Sequence, residues 1–211
     1  EDMIHHTAAV KRGVKNALIV ADMPFLSFNL SIENTLINAG RLIQAGAKAV
    51  KLEGGEHILH HVKALTDAGI PVMGHLGLTP QSVNQLGGYF IQGKTAGAAN
   101  KMINDALALQ EAGIFALVLE CIPDELGEII TQKLSIPTIG IGAGNKCDGQ
   151  VLVTNDLLGI SAKKPATFVK QYANLNQIIL SAAEQYINEV KSGHFPGNEH
   201  SFHSEEIKNI Y

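Results

Sequence analysis

The chain has 211 residues, of which 45% are hydrophobic and 17% charged, and 16 Lys and Arg residues against 20 Asp and Glu residues give it a net charge of -4. This composition is typical of a folded globular protein and excludes a disordered one. The negative charge argues against a nucleic-acid-binding protein, which needs a basic surface. No apolar run approaches the roughly 20 residues of a membrane helix, and Cys121 and Cys147 are too few for a disulfide framework or a zinc site. We therefore expect a protein of the reducing cytoplasm without nucleic-acid or membrane partners.

Short apolar runs alternate with amphipathic helical patterns, which predicts βαβ units and a parallel sheet. The predicted strands are Ala17–Asp22, Lys48–Glu53, Pro71–His75, Ile114–Glu120, Pro137–Ile141 and Gln150–Val153, and the predicted helices between them are Ile32–Ala45, Ile58–Ala68, Ala98–Ala112 and Asp124–Leu134. Gly46, Gly69 and Gly113 follow three of these helices, at the position where a left-handed residue commonly ends a helix.

The end of the chain has a different pattern. One helical stripe of apolar residues predicts a packing helix at about 175–191, and a polar, extended tail is expected at 193–211. No linker or shift in composition divides the chain, so we expect one domain over 1–211.

Ionisable residues stand at the ends of four predicted strands: Asp22, Glu53, His75 and Glu120. Alternation along the second strand places Lys51 on the same face as Glu53. Because the apolar face must meet the helices, these polar side chains point the other way, which in a closed (β/α)8 barrel is the interior near the carboxyl ends of the strands. Active sites of such barrels are built there, so the pattern predicts one catalytic pocket.

Each of these residues also has a purely structural explanation. Asp22 could hold a loop through an Asx turn, and Glu53 could lie near the positive end of a helix dipole. Lys51 could be only the ion-pair partner of Glu53, and His75 could be a hydrogen-bonded core histidine. All of these explanations require polar groups to be buried repeatedly at strand ends, and one shared site accounts for the repetition once.

The glycine-rich segment 139–145, IGIGAGN, is similar to a phosphate-binding turn but lacks the G-x-G-x-x-G spacing and a suitable acid about 20 residues later. It favours a tight strand-to-loop turn where backbone approaches a ligand. The sequence contains no G-x-S-x-G, HExxH or Walker motif.

Several segments together resemble the ketopantoate hydroxymethyltransferase family: VKLEGGE at 50–56, GHLGLTPQS at 74–82, LECIP at 119–123, and IGIGAG at 139–144 followed by DGQ at 148–150. The tail segments GHFP at 193–196 and HSF at 200–202 are similar to the family's ending. The resemblance implies a (β/α)8 TIM barrel of the type that binds pyruvate-like 2-oxo acids, with Mg2+. It also implies transfer of a one-carbon unit from 5,10-methylenetetrahydrofolate to 3-methyl-2-oxobutanoate, giving 2-dehydropantoate for pantothenate and coenzyme A synthesis, by a homo-oligomer for which a decamer is one candidate size.

Members of that family carry two further strands before the position of Asp2, the second ending in a Gly-Asp-Ser turn that supplies a metal ligand. The given sequence contains neither strand, so we expect six of the eight barrel strands here. A polypeptide without them would have open sheet edges and one magnesium ligand fewer.

The resemblance and the chemistry together suggest a role for each residue. The reaction removes a proton from the carbon beside a ketone, and the enolate then attacks an electrophilic methylene. Asp22 and Glu53 are the expected magnesium ligands, and Asp22 also contacts the substrate. Lys51 is expected to offset negative charge on the substrate, and His75 to form a hydrogen bond with it. Glu120, at the end of an apolar strand, is the expected general base.

Two other functions stay open. A magnesium-dependent 2-oxo-acid carbon–carbon lyase or mutase would share the barrel but not the folate, and such enzymes typically use a cysteine on a mobile loop; neither Cys121 nor Cys147 lies in that kind of motif. A non-catalytic barrel fragment would bind magnesium no better than background. Folate-dependent turnover separates the first from the transferase.

Overall fold

The computed structural model describes residues 1–162, 164–208 and 210. It divides into two compact units, 1–151 and 152–211. The single domain expected over 1–211 stays a prediction. Residues 209 and 211 of the expected tail lie outside the described residues.

The first unit is built on a parallel sheet of six strands, in the order β1 to β6. The strands are β1 (Val20–Asp22), β2 (Ala49–Glu53), β3 (Val72–Gly77), β4 (Ala116–Glu120), β5 (Thr138–Ile141) and β6 (Gly149–Gln150). The predicted α/β class and parallel sheet are confirmed. Closure into an eight-stranded barrel goes beyond what these six strands show.

All six strands differ from their predicted bounds, and pairing explains three of the differences. β1 begins at Val20 rather than Ala17, where its register with β2 begins. β3 continues past His75 because Gly77 still pairs with Glu120 of β4. β6 spans Gly149–Gln150 rather than Gln150–Val153, since its ladder with β5 is two residues long.

Helices of the first unit connect the strands. They are α1 (Asp2–Gly13), α2 (Ile32–Gln44), α3 (Leu59–Asp67), α4 (Val83–Leu86), α5 (Ala96–Glu111) and α6 (Asp124–Lys133), with 3₁₀ turns at Glu56–Ile58 and Pro80–Ser82. Ser31 and Thr95 cap α2 and α5, each accepting a hydrogen bond from the N–H three residues on. All four predicted helices are present, and α1 and the short α4 lie outside those four. Gly46, Gly69 and Gly113 have the expected positive φ.

The core of the first unit lies between one face of the sheet and the helices. Fully buried strand side chains such as Leu52, Val72 and Leu119 join helix residues such as Val62 and Leu109 in one cluster. Each such side chain contributes about 1.5–3 kcal/mol by leaving water. The apolar face of the strands therefore meets the helices, which leaves the other face for the ionisable side chains.

The second unit contains α7 (Thr154–Leu157), α8 (Leu175–Ser192), a 3₁₀ turn at Asn198–His200 and α9 (Glu205–Lys208). α8 matches the bounds of the helix predicted at about 175–191, and the left-handed Gly193 follows it. None of its residues is buried, so the packing expected of its apolar stripe is not observed. The expected extended tail is wrong in part, because α9 lies within it. None of the helices in the described ranges combines the length and apolarity needed to cross a bilayer.

Candidate active site

Four parallel strands bring the predicted site residues to the same edge of the sheet. The register places Asp22 of β1 beside Lys51 of β2, and Glu53 of β2 beside His75 of β3. Glu120 ends β4. Side chains from four strands therefore reach one place through strand pairing alone.

Lys51 is the centre of the first half of this group. Its Nζ lies 2.8 Å from Asp22 Oδ1 and 3.9 Å from Glu53 Oε1. The same Nζ lies 3.3 Å from His75 Nδ1. The Lys51 side chain is 18% exposed, so this cation is largely removed from solvent and lies between two carboxylates and an imidazole.

His75 links Lys51 to Glu120. Its Nε2 lies 3.2 Å from Glu120 Oε2, and the two side chains are 4% and 16% exposed. The angles at Nε2 do not meet those of a hydrogen bond, so this buried nitrogen has no hydrogen-bond partner. All five residues thus form one continuous cluster of contacts from Asp22 to Glu120.

Glu53 is the most buried carboxylate of the cluster. Burial raises the pKa of Glu53, and the Gln81 N–H and Lys51 oppose that rise. The Gln81 backbone N–H donates to Glu53 Oε2 at 3.0 Å. The Glu53 carboxylate is therefore surrounded by a backbone N–H, Lys51 and His75.

Gln81 is a site residue that sequence reasoning did not single out. Besides its backbone bond to Glu53, its side-chain Nε2 donates to the Met23 carbonyl at 2.9 Å. It therefore ties the loop after β3 to the end of β2 and to the residue after Asp22. Its place within the GHLGLTPQS segment was the available signal, but no charge or periodicity marked it.

The carboxylates of Asp22 and Glu53 are chemically suited to a magnesium ion. Asp22 Oδ1 is buried without a hydrogen-bond partner, although Lys51 contacts it as an ion pair. Magnesium commonly takes one or two protein carboxylates and fills its remaining positions with water and substrate oxygens. Among the described residues no cluster of three or more His, Cys, Asp or Glu side chains could hold a metal. Asp22 and Glu53 could each supply a carboxylate oxygen to such an ion, with the other positions left to water and substrate.

The backbone of Glu120 is held closely by β3. Gly77 has a φ of 96°, and a Cβ built on it would lie 2.1 Å from the Glu120 carbonyl oxygen. That oxygen accepts a hydrogen bond from the Leu78 N–H at 2.8 Å. Only glycine permits this approach, so the place of Glu120 depends on Gly77.

Cys121 holds the other side of Glu120. It is a non-glycine residue with a φ of 51°, a conformation that is stabilised only by its surroundings. Its N–H donates to the Ile141 carbonyl, and its carbonyl accepts from the Gln92 N–H, both at 2.9 Å. Burial and the Glu120 charge raise the pKa of the Cys121 thiol, which disfavours the reactive thiolate.

The glycine-rich segment forms a turn fixed by two polar side chains. Asp148 Oδ2 accepts hydrogen bonds from the Thr138 N–H at 2.8 Å and from its hydroxyl at 3.1 Å. Gln150 Nε2 donates to the Gly144 carbonyl at 2.9 Å. The expected tight turn after β5 is therefore observed, and the DGQ triplet stabilises it.

A cleft of about 490 Å³ lies beside this group, at the ends of β2 and β3. Gly77 and Gln92 line it, and both contact the Glu120–Cys121 backbone. Tyr89 and Phe90 lie on the loop that leads into Gln92 and are 72% and 60% exposed. The remaining lining residues are Gly54, Gly55, His57, Leu76, Thr79, Ser82, Gln85, Leu86, Gly93, Ala98, Lys101, Met102 and Asp105.

Comparison with known proteins identifies the family. The sequence profile of ketopantoate hydroxymethyltransferase matches residues 1–198. The chain belongs to this family. A 3-methyl-2-oxobutanoate hydroxymethyltransferase of Thermoanaerobacter sp. (strain X514) is 59% identical over 99% of the chain and 77% of its own length. One from Clostridium botulinum (strain Alaska E43 / Type E3) is 56% identical over 100% of the chain and 78% of its own length. These matches confirm the predicted family and the predicted class of enzyme, a hydroxymethyltransferase.

Solved structures show the same fold at low sequence identity. A phosphonopyruvate hydrolase has a TM-score of 0.56 and 13% identity over 97% of this chain and 71% of its own. A 2,3-dimethylmalate lyase, described as a member of the PEP mutase/isocitrate lyase superfamily, has a TM-score of 0.53 and 14% identity over 98% and 72%. These similarities concern the fold alone.

Proposed function

We propose that the protein transfers a hydroxymethyl group from 5,10-methylenetetrahydrofolate to 3-methyl-2-oxobutanoate, giving 2-dehydropantoate for pantothenate and coenzyme A synthesis. One water molecule is consumed, and it supplies the hydroxyl oxygen of the product. The cluster that joins Glu120 through His75 to Lys51, Asp22 and Glu53 carries this proposal, together with the family. It combines a carboxylate able to take a proton with a cation and two acidic groups that suit an oxo acid and its metal.

Glu120 is the general base in this proposal. It removes the C3 proton of the oxo acid, and the electron pair of that C–H bond forms the enolate. Its side chain is 16% exposed, and its backbone is fixed by Gly77 and Cys121. A base held in this way contributes about 10²–10⁴ to the rate.

Lys51 and the acidic pair bind the oxo-acid end of the substrate. Lys51 places a positive charge where the substrate carboxylate or the developing enolate needs it. Asp22 and Glu53 would hold magnesium, and Asp22 would also contact the substrate. When bound, the metal stabilises negative charge on the oxo-acid oxygens.

The folate co-substrate binds, in this proposal, in the cleft beside Gly77 and Gln92. The methylene donor must come close to the carbon that Glu120 deprotonates, and two residues that line this cleft, Gly77 and Gln92, contact the Glu120–Cys121 backbone. Tyr89 and Phe90, on the loop that leads into Gln92, offer exposed aromatic surface, which suits a flat heteroaromatic ring.

The proposal also covers the complete fold, the cellular location and the oligomeric state. The six described strands belong to a (β/α)8 barrel of the 2-oxo-acid-binding type, as the similarity to 2,3-dimethylmalate lyase supports. The polypeptide works in the cytoplasm, in keeping with its two free cysteines, as a homo-oligomer for which a decamer is one candidate size. Light scattering measures that size directly.

Glu120→Gln tests the function, because the amide has nearly the same shape but cannot take the proton. We expect wild type to exchange the C3 hydrogen of 3-methyl-2-oxobutanoate for deuterium without folate, and to form 2-dehydropantoate when folate is added. The variant should lose both by about 10²–10⁴ while keeping its fold. Glu111→Gln, on the exposed end of α5, is the matched control.

Three outcomes would count against the proposal. Exchange at the wild-type rate in Glu120→Gln removes Glu120 from the role of base. Carbon–carbon cleavage of 2-oxo acids without folate supports the lyase or mutase. Absence of exchange, turnover and specific magnesium binding in wild type supports the non-catalytic alternative.

A further inference from the structure

The contact between Lys51 and His75 decides which ring nitrogen of His75 carries the proton. A lysine ammonium has three donors and no acceptor, and Lys51 is in ion-pair contact with Asp22. Its Nζ lies 3.3 Å from His75 Nδ1, so Nδ1 must accept. The nearest Glu53 oxygen is 3.7 Å from Nδ1, too far to accept a hydrogen bond from it. His75 is therefore the neutral tautomer with its proton on Nε2.

The Nε2–H of this tautomer faces Glu120. Nε2 lies 3.2 Å from Glu120 Oε2, in a side chain that is 4% exposed. The angles do not yet make a hydrogen bond, and a buried donor without a partner is unfavourable. Completing the bond requires the Glu120 carboxylate to reorient, in the way that catalytic hydrogen bonds tighten when substrate binds.

We infer that His75 is a positioning residue for Glu120, set in the Nε2–H tautomer by Lys51. The N–H holds Oε2 of Glu120 and leaves Oε1 to take the proton. Lys51 then acts on the base through His75, in addition to its contact with the substrate. This inference rests on the proposed function, in which Glu120 is the base, and it differs from the hydrogen bond to substrate that the sequence suggested for His75.

Two amide variants separate the two ring nitrogens. The terminal amide of glutamine reaches the position of Nε2 and can donate to Glu120, whereas the shorter asparagine reaches only the position of Nδ1. We expect His75→Asn to lower the rate of C3–H exchange about hundredfold, the effect of a base misplaced by about 1 Å. His75→Gln should recover that rate to within about tenfold of wild type. Neither variant should change the Kd of the oxo acid at fixed magnesium concentration.

The control is His61→Gln, which places an amide in another buried histidine position. His61 is 5% exposed and contacts Thr35 Oγ1 through Nδ1 at 2.9 Å. If replacing any buried imidazole lowered the exchange rate, His61→Gln would be slow as well. We expect exchange in His61→Gln to stay near the wild-type rate.

Equal losses of exchange rate in His75→Asn and His75→Gln would overturn the inference. A higher Kd for the oxo acid in these variants, with an unchanged exchange rate at saturating oxo acid, would show that His75 binds substrate instead. A second measurement is made on wild type: ¹⁵N NMR of histidine-labelled protein, with the His75 signals identified by their loss in a folded His75 variant, reads the tautomer directly. A proton on Nδ1 would refute the inference. Failure of the proposed function is distinct, because wild type itself would then show no C3–H exchange.

Discussion

Gly77→Ala is the substitution whose effect follows most directly from the coordinates. The new methyl group would lie 2.1 Å from the Glu120 carbonyl oxygen and 2.9 Å from Ile122 Cγ2, on a residue with a φ of 96°. Real Cβ contacts stay beyond about 3.0 Å, so the β4 backbone at Glu120 must move by about 1 Å. The substitution therefore perturbs the position of the base without touching its chemistry.

Two effects set the loss of stability in Gly77→Ala. An alanine in a left-handed conformation costs about 1–2 kcal/mol, and losing the Leu78 N–H bond to the Glu120 carbonyl costs about 1–2 kcal/mol more. We expect Gly77→Ala to lower the free energy of unfolding by about 2–4 kcal/mol. Displacing a catalytic group by about 1 Å should lower the exchange rate about hundredfold.

Gly69→Ala is the matched control. Gly69 also has a positive φ, 79°, but a Cβ there meets nothing within 4 Å. Gly69→Ala should lower the free energy of unfolding only by the cost of the left-handed conformation, about 1–2 kcal/mol, and should keep its exchange activity. Urea unfolding and C3–H exchange are measured for both variants. Equal stabilities, with normal exchange in Gly77→Ala, would refute the claim that this close approach positions Glu120.

Three further substitutions test the cluster. Asp22→Asn should weaken magnesium and substrate binding together, because the metal is proposed to bridge them; equal substrate affinity in wild type with and without magnesium would contradict the bridge. Lys51→Met keeps the aliphatic stem and removes the charge, so the rate with 3-methyl-2-oxobutanoate should fall about hundredfold, and near-normal turnover would make Lys51 a structural ion-pair partner only. Glu53→Gln should stabilise the fold at neutral pH, because burial raises the pKa of Glu53 in the folded protein. As the pH rises through 4.5, the ordinary pKa of a glutamate side chain, the unfolded wild-type chain loses this proton before the folded one does. The free energy of unfolding of wild type therefore falls. Urea unfolding measures the gain in stability of Glu53→Gln over wild type, which should shrink as the pH is lowered towards 4.5. A gain that does not depend on pH would show that ionisation of Glu53 is not its cause.

The sequence predicted the cluster because strand period and strand ends are local properties. Alternation puts Lys51 and Glu53 on one face, and parallel pairing carries Asp22, His75 and Glu120 to the same edge. Each residue could be placed without knowing any contact distance. The roles of these residues were not fixed in the same way, since they depend on which atoms face each other.

The features that escaped prediction depend on contacts between distant segments. Gly77 looks like any loop glycine until β3 is paired with β4, and Gln81 looks like any turn residue until it contacts Glu53. The positive φ of Cys121 has no signal in the sequence, because the side chain disfavours it and only bonds to Gln92 and Ile141 maintain it. The early start predicted for β1 failed because apolar residues alone do not show where a partner strand begins.

The formal charges of the cluster explain why substrate and metal binding should be linked. Asp22, Glu53 and Glu120 bring three negative charges, Lys51 brings one positive charge, and His75 is neutral in the tautomer inferred above. Two negative charges are left in a site where burial already raises the pKa of Glu53. A 2-oxo acid adds another negative charge, so its binding without a compensating cation is unfavourable. A divalent cation offsets the excess, which is why the cluster should bind the oxo acid well only when magnesium is present.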